Sequence, residues 1–179
     1  MKKTFYVLSF VAIAAFITSC EKAAALLFQP FESPLNFSIA IDPVVPGVQS
    51  TLGSSVVSYN LDAEVRAATN DAVGADFIKQ IYVNEIAINL NNADASNNLG
   101  TFESINISFT AAGTAPVEIG PFAIPASTNA QISIPVTNSP NLRPFFNGNN
   151  VSFTISGKAR SATTKTLNAA VSATLKFDK

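Results

Sequence analysis

The chain has no histidine and no tryptophan among its 179 residues, and it has a single cysteine. Without histidine, no Ser-His-Asp or Cys-His relay can be assembled, since the usual proton shuttle is missing. Histidine zinc sites fall with it, and thiolate zinc sites need more than one sulfur. One cysteine cannot close an intrachain disulfide, so burial must hold the fold. Charge is scarce too: Asp, Glu, Lys and Arg make up 13% of the chain, for a formal net charge of −1. A nucleic-acid partner would call for a basic face, and none is expected here. No cofactor is expected either.

Long apolar runs are also few, and one of them opens the chain. Residues 5–17 are mostly apolar, about 13 residues against the ~20 that a membrane-crossing helix needs. Lys2 and Lys3 precede this run, and the small residues Thr18 and Ser19 follow it. That is the charged, apolar and small-residue pattern of an export signal. The run Ile17-Thr18-Ser19-Cys20 places the only cysteine at the cut, where it resembles the lipobox of bacterial lipoproteins. The resemblance implies a signal peptide over 1–19 and a diacylglyceryl group on the Cys20 sulfur. It also implies acylation of the new α-amine, and more than one acyl chain gives stable anchoring. Membrane lipid is thus the first expected partner. Glu21, in place of the aspartate that retains lipoproteins at the inner membrane, leans the address toward the outer membrane. Whether the domain faces the periplasm or the surface stays open.

Loss of the signal removes two lysines, leaving 9 basic against 12 acidic residues and a formal charge of −3. The segment 20–34 reads as a lipidated tether. Residues 23–28 form its apolar stem, and Pro30 and Pro34 stop any helix. From Leu35 onward the pattern has period two. Leu35, Phe37, Ile39 and Ile41 alternate with polar residues, as in a half-buried strand. A second strand is expected over 55–61. A short helix is expected over 62–70, capped by Asn60.

The stretch 76–90 reads as the longest strand. Ile81 and Val83 share one parity; Ile86, Ile88 and Leu90 share the other. The switch predicts a β-bulge near Asn84-Glu85. Further strands are expected around 105–109, 117–122 and 132–136, the last at a sheet edge because of Pro135. Leu142, Phe145 and Phe146 are expected to plug the loop 138–150. Strands over 151–159 and 167–177 complete the pattern. Eight strands with one short helix predict an all-β protein, an antiparallel β-sandwich spanning 35–179. An Ig-like Greek key is the first choice, with a jelly roll or small barrel as the alternative. The strand order, with Phe77-Ile78-Lys79-Gln80-Ile81 before one strand and Asn141-Leu142-Arg143-Pro144-Phe145-Phe146 before another, is similar to small β-sandwich lipoproteins of Bacteroidota.

Two chemistries remain for an enzyme: a pair of carboxylates or a Ser-Lys dyad. No Ser-x-x-Lys motif occurs in the mature domain. Asp62 and Glu64 fit a helix start better than a cleft, and Glu85 fits a solvent face. Lys158, Arg160 and Lys165 read as a solvated hairpin tip. The loop Asn92-Ala93-Asp94-Ala95-Ser96-Asn97-Asn98 puts oxygens at Asn92, Asp94, Ser96 and Asn98. This faintly resembles half of a calcium loop, without its glycine or closing glutamate. Tyr59 and Tyr82 are the aromatic candidates for a binding groove. The expected function is therefore a lipid-anchored, non-enzymatic envelope module of structural, adhesive or assembly type, with an envelope protein as its partner. The alternative is an accessory module for a glycan or small apolar ligand. A carboxylate-type hydrolase is the remote third.

Overall fold

A computed structural model describes residues 28–148 and 150–179. The expected signal 1–19, Cys20, and the stem apart from Phe28 lie outside the described residues.

Period-two alternation becomes strand in each expected region, except at 59–61, which fall outside the second strand. The strands are β1 (Phe31–Ile41), β2 (Gln49–Ser58), β3 (Gln80–Leu90), β4 (Phe102–Thr110), β5 (Val117–Ala123), β6 (Gln131–Pro135), β7 (Asn150–Ala159) and β8 (Leu167–Asp178). One helix, α1 (Leu61–Thr69), follows β2, and the Asn60 side chain accepts from the Ala63 N–H at its start. Asn70 ends it in the left-handed conformation at φ 51, which asparagine tolerates better than most residues.

The strands form two antiparallel four-stranded sheets, ordered β1-β8-β3-β6 and β2-β7-β4-β5. Strand β1 pairs with β8 rather than with β2, and consecutive strands cross between the sheets, except that β4 and β5 are neighbours. This is the eight-stranded double-sheet jelly roll. The β-sandwich thus stands, but its order is that of the alternative and not of the Ig-like first choice. Strand parity in a sequence specifies which face is buried; it carries no information about which strands become neighbours.

Alternating residues of both sheets fill the space between them. Phe153 of β7 is fully buried, stacked on Phe37 of the facing sheet at 4.4 Å and edge-on to Phe109 at 5.0 Å. The bulge in β3 falls where the parity change placed it: the register with β8 shifts between Val83 and Glu85. Ile81 and Val83 before it, and Ile86, Ile88 and Leu90 after it, all end up in the core. Pro135 lies in β6, an edge strand, as expected. Leu142, Phe145 and Phe146 are buried around the 3-10 turn Arg143–Phe146.

Three boundaries differ from expectation. Residues 75–77 form a 3-10 turn and β3 begins only at Gln80, so β8, at 12 residues, and not the stretch 76–90 is the longest strand. Strand β1 begins at Phe31, inside the supposed tether, with Pro34 paired opposite Thr174. Proline is accepted there because β1 is an edge strand and need not donate outward. The domain begins earlier still, since Phe28 is buried against Phe77 with ring centroids 5.2 Å apart. Strand β2 runs over Gln49–Ser58 instead of 55–61, and Tyr59 and Leu61 lie beyond it.

Candidate functional site

Asp62, Glu64, Asp94, Lys158, Arg160 and Lys165 each meet a protein partner. Asp62, in the first turn of α1, accepts from the Ala75 N–H at 2.9 Å and pairs with Arg66 at 2.7 Å. The Ala75 N–H first, then Arg66, hold its carboxyl below the ordinary carboxylate range. It staples the helix to the following 3-10 turn. Glu64 accepts a hydrogen bond from the Ser33 hydroxyl of β1. The two acids therefore serve different partners and form no shared cleft. Glu85 is exposed on the outer face of β3, as expected.

The loop with spaced oxygens is a hydrogen-bond knot. The Asp94 carboxylate accepts from the Ser96 N–H at 2.9 Å, the Asn97 N–H at 2.8 Å and the Asn97 amide at 3.0 Å. Lys165 closes on it at 2.7 Å. Lys165 first, then Asn97 and Ser96, push the Asp94 carboxyl far below its ordinary value. Asn92 accepts from Asn168 N–H at 2.8 Å and donates to the Thr166 carbonyl at 2.9 Å, and Asn98 donates to the carbonyls of Asp94 and Ala95. Asp94, Asn92 and Asn98 are thus turned to protein groups, and the loop fastens the entry to β8. Among the described residues, no group of three or more acidic side chains gathers as a metal site.

Strands β7 and β8 lie in different sheets, so the expected last hairpin does not form, and its basic residues divide. Lys158 pairs with Glu103 at 3.0 Å. Arg160 is no solvated tip: its guanidinium donates to the carbonyls of Gly100, Phe102 and Ile124. It fixes three chain segments at one end of the sandwich. Arg143 does the same at the other end, donating to the Ile78 carbonyl at 2.9 Å and the Ala75 carbonyl at 3.3 Å. Sequence spacing held no signal for either clamp.

The two tyrosines do not share a groove. Tyr59 packs edge-on to Phe146 at 5.1 Å, and its hydroxyl is buried without a hydrogen-bond partner. Burial first, then the Glu64 carboxylate, push that hydroxyl far above the ordinary tyrosine value, opposed by the nearby Ser33 hydroxyl. Tyr82 stands on the outer face of β3 and donates to Gln80 at 2.9 Å. A trough of about 720 Å³ crosses the outer face of the β1-β8-β3-β6 sheet, and neither tyrosine lines it. A smaller notch of about 330 Å³ lies between Phe28–Phe31 and the end of α1.

The sheet edges differ in protection. Strand β1 carries Glu32 and Pro34, β5 carries Glu118 and Pro121, and β6 ends in Pro135. Strand β2 carries neither charge nor proline, and its Val56 is 67% exposed. Near its middle, Gly53 lies against the Ala40 carbonyl and Ile39, so β1 covers that part. Residues 54–58 remain as the open half.

No family model and no curated protein matches the chain. Among solved structures, the chain is similar to the decameric BFDV capsid protein, at 6% identity and a TM-score of 0.32, covering 84% of this chain and 100% of that one. It is also similar to the structure of the infectious bursal disease virus Gx strain, at 10% identity and TM-score 0.29, covering 83% of this chain and 32% of that one. These likenesses carry no functional argument. Among the described residues, no helix is long and apolar enough to cross a membrane.

Proposed function

We propose that this chain is a non-enzymatic module of the bacterial outer membrane, moored by lipid on Cys20 and assembling with an envelope protein through the open half of β2. The observation that carries the reading is the unguarded edge. A strand edge presents unpaired N–H and C=O groups, and folded proteins block such edges with charge, proline or cover. Of the four edge strands described, only β2 carries no blocking residue within it. Strand addition would let a partner's extended segment pair there, with Val56 contributing apolar contact.

The tether supports the address. Cys20 lies eight residues before buried Phe28, a reach of at most about 28 Å for extended chain. That length would hold the α1 end of the sandwich close to the bilayer.

Two measurements test the two halves. Metabolic labelling with a fatty-acid analogue should mark the wild type and not Cys20→Ala; label retained in the alanine variant overturns the anchor. Native gel analysis of detergent-extracted membranes should show a larger species that Val56→Lys reduces to the free protein. An unchanged species in Val56→Lys overturns the edge.

A further inference from the structure

We propose that the outer face of the β1-β8-β3-β6 sheet binds a neutral oligosaccharide. The inference does not depend on Cys20 or on β2, which lies in the other sheet.

The register sets two rows of side chains across all four strands. Asn36, Ser172, Ala87 and Ser133 form one row; Ser38, Ala170, Asn89 and Gln131 form the next. These eight residues line the trough, together with Phe37, Ile88, Ile132 and Val171 between them. Ala87 and Ala170 are the smallest and stand on the two central strands, so the floor lies open. Longer Asn36 and Gln131 stand on the edge strands as walls.

The chemistry of the rows narrows the ligand. None of the lining residues is charged, which disfavours an ionic ligand. Among the described residues, none of the Asn, Gln or Ser side chains in these rows hydrogen-bonds to another protein group. On the opposite sheet's outer face, by contrast, Ser58 donates to Asn150 at 2.9 Å. The trough therefore offers unspent donors and acceptors together, since each amide and hydroxyl supplies both. Sugar hydroxyls have the same dual character. An apolar ligand would strip water from these groups without replacing their hydrogen bonds.

Shape agrees. Strands lie about 4.8 Å apart, so a row repeats at close to the length of one pyranose ring along a glycan chain. Four strands fit about three sugar units. A second copy of the sheet would mate poorly, because stacked sheets interdigitate apolar side chains, and the only apolar side chains in these two rows are those of Ala87 and Ala170, too short to interdigitate.

The test uses the full chain in detergent, titrated calorimetrically with neutral hexasaccharides of α-1,4-glucose, β-1,3-glucose and β-1,4-mannose, and with an anionic oligogalacturonate. At least one neutral probe should bind at millimolar concentration or better, and the anionic probe should not. Asn89→Ala and Gln131→Ala should each weaken binding by up to ~10-fold, about one hydrogen bond's worth. Ala170→Trp, which fills the floor, should abolish it; Gln131→Ala on the edge strand keeps the test valid if the tryptophan disturbs folding. Val56→Lys should leave binding unchanged, which separates this site from the β2 edge. No binding of any neutral probe overturns the proposal. So does binding that survives Ala170→Trp in a protein of unchanged thermal midpoint, or a dimer that this substitution dissolves.

Discussion

Replacing Phe153 by alanine strikes the point where the two sheets are joined. The ring has no exposed surface, stacks on Phe37 of one sheet and meets Phe109 of its own edge-on. Truncating a buried phenylalanine costs ~3–5 kcal/mol, from lost burial and the cavity left behind. The upper half of that range applies here. Two sheets tied by their own hydrogen-bond ladders cannot close in to refill a hole between them. Each aromatic pair adds about 0.5–1.5 kcal/mol beyond area. A loss of ~4 kcal/mol lowers the thermal midpoint by about 10 °C in a domain of this size. Calorimetry and urea unfolding of wild type, Phe153→Ala, Phe37→Ala and the double variant would measure it. The cycle should show the two rings coupled by ~1 kcal/mol, as contacting residues are. A single-variant loss below ~2 kcal/mol, or strict additivity, would refute the argument that this stack bolts the sheets together.

Other outcomes follow from the same geometry. Arg160→Met should destabilise by ~1–3 kcal/mol in urea unfolding, because carbonyls of Gly100, Phe102 and Ile124 lose their donor. Gly53→Ala should cost ~1–3 kcal/mol by the same measure, since a Cβ there overlaps the Ala40 carbonyl. Tyr59→Phe should be neutral or slightly stabilising, because the hydroxyl it removes is buried and unpartnered; a loss above ~1 kcal/mol would reveal a hydrogen bond to Ser33. Asp94 should make stability pH-dependent. Its carboxyl sits lower in the folded protein than in the unfolded chain, so its contribution is whole above the unfolded value near ~3.9 and shrinks as pH falls below it. The gap in thermal midpoint between wild type and Asp94→Asn should hold steady at neutral pH and narrow only in acid.

Local features were legible because local chemistry determines them. The parity change between Val83 and Ile86 required an extra residue, and Asn84 is that residue. Asn60 stood where a helix needed a cap, and the helix begins one residue later. Pro135 could only sit at an edge. The start of β2 was hidden because Gln49–Ser55 is polar and glycine-containing, and pairing with β7 overrides its weak propensity. The jelly-roll order, the carbonyl clamps of Arg160 and Arg143, and the trough all arise from residues far apart in sequence. Asn36, Ser172, Ala87 and Ser133 look like four unrelated surface residues until the register lines them up. The Asp94 loop was found for its oxygens, but a sequence does not show whether an oxygen faces a cation or an N–H.

Strand β8 lies between β1 and β3, yet it comes last of the eight in chain order. Until residues 167–178 have emerged, the first and third strands have no common neighbour and one half of the sandwich cannot assemble. The strand that joins β1 to β3 is thus the one made latest of the eight described, and that sheet gains its full order only when residues 167–178 take their place at its centre.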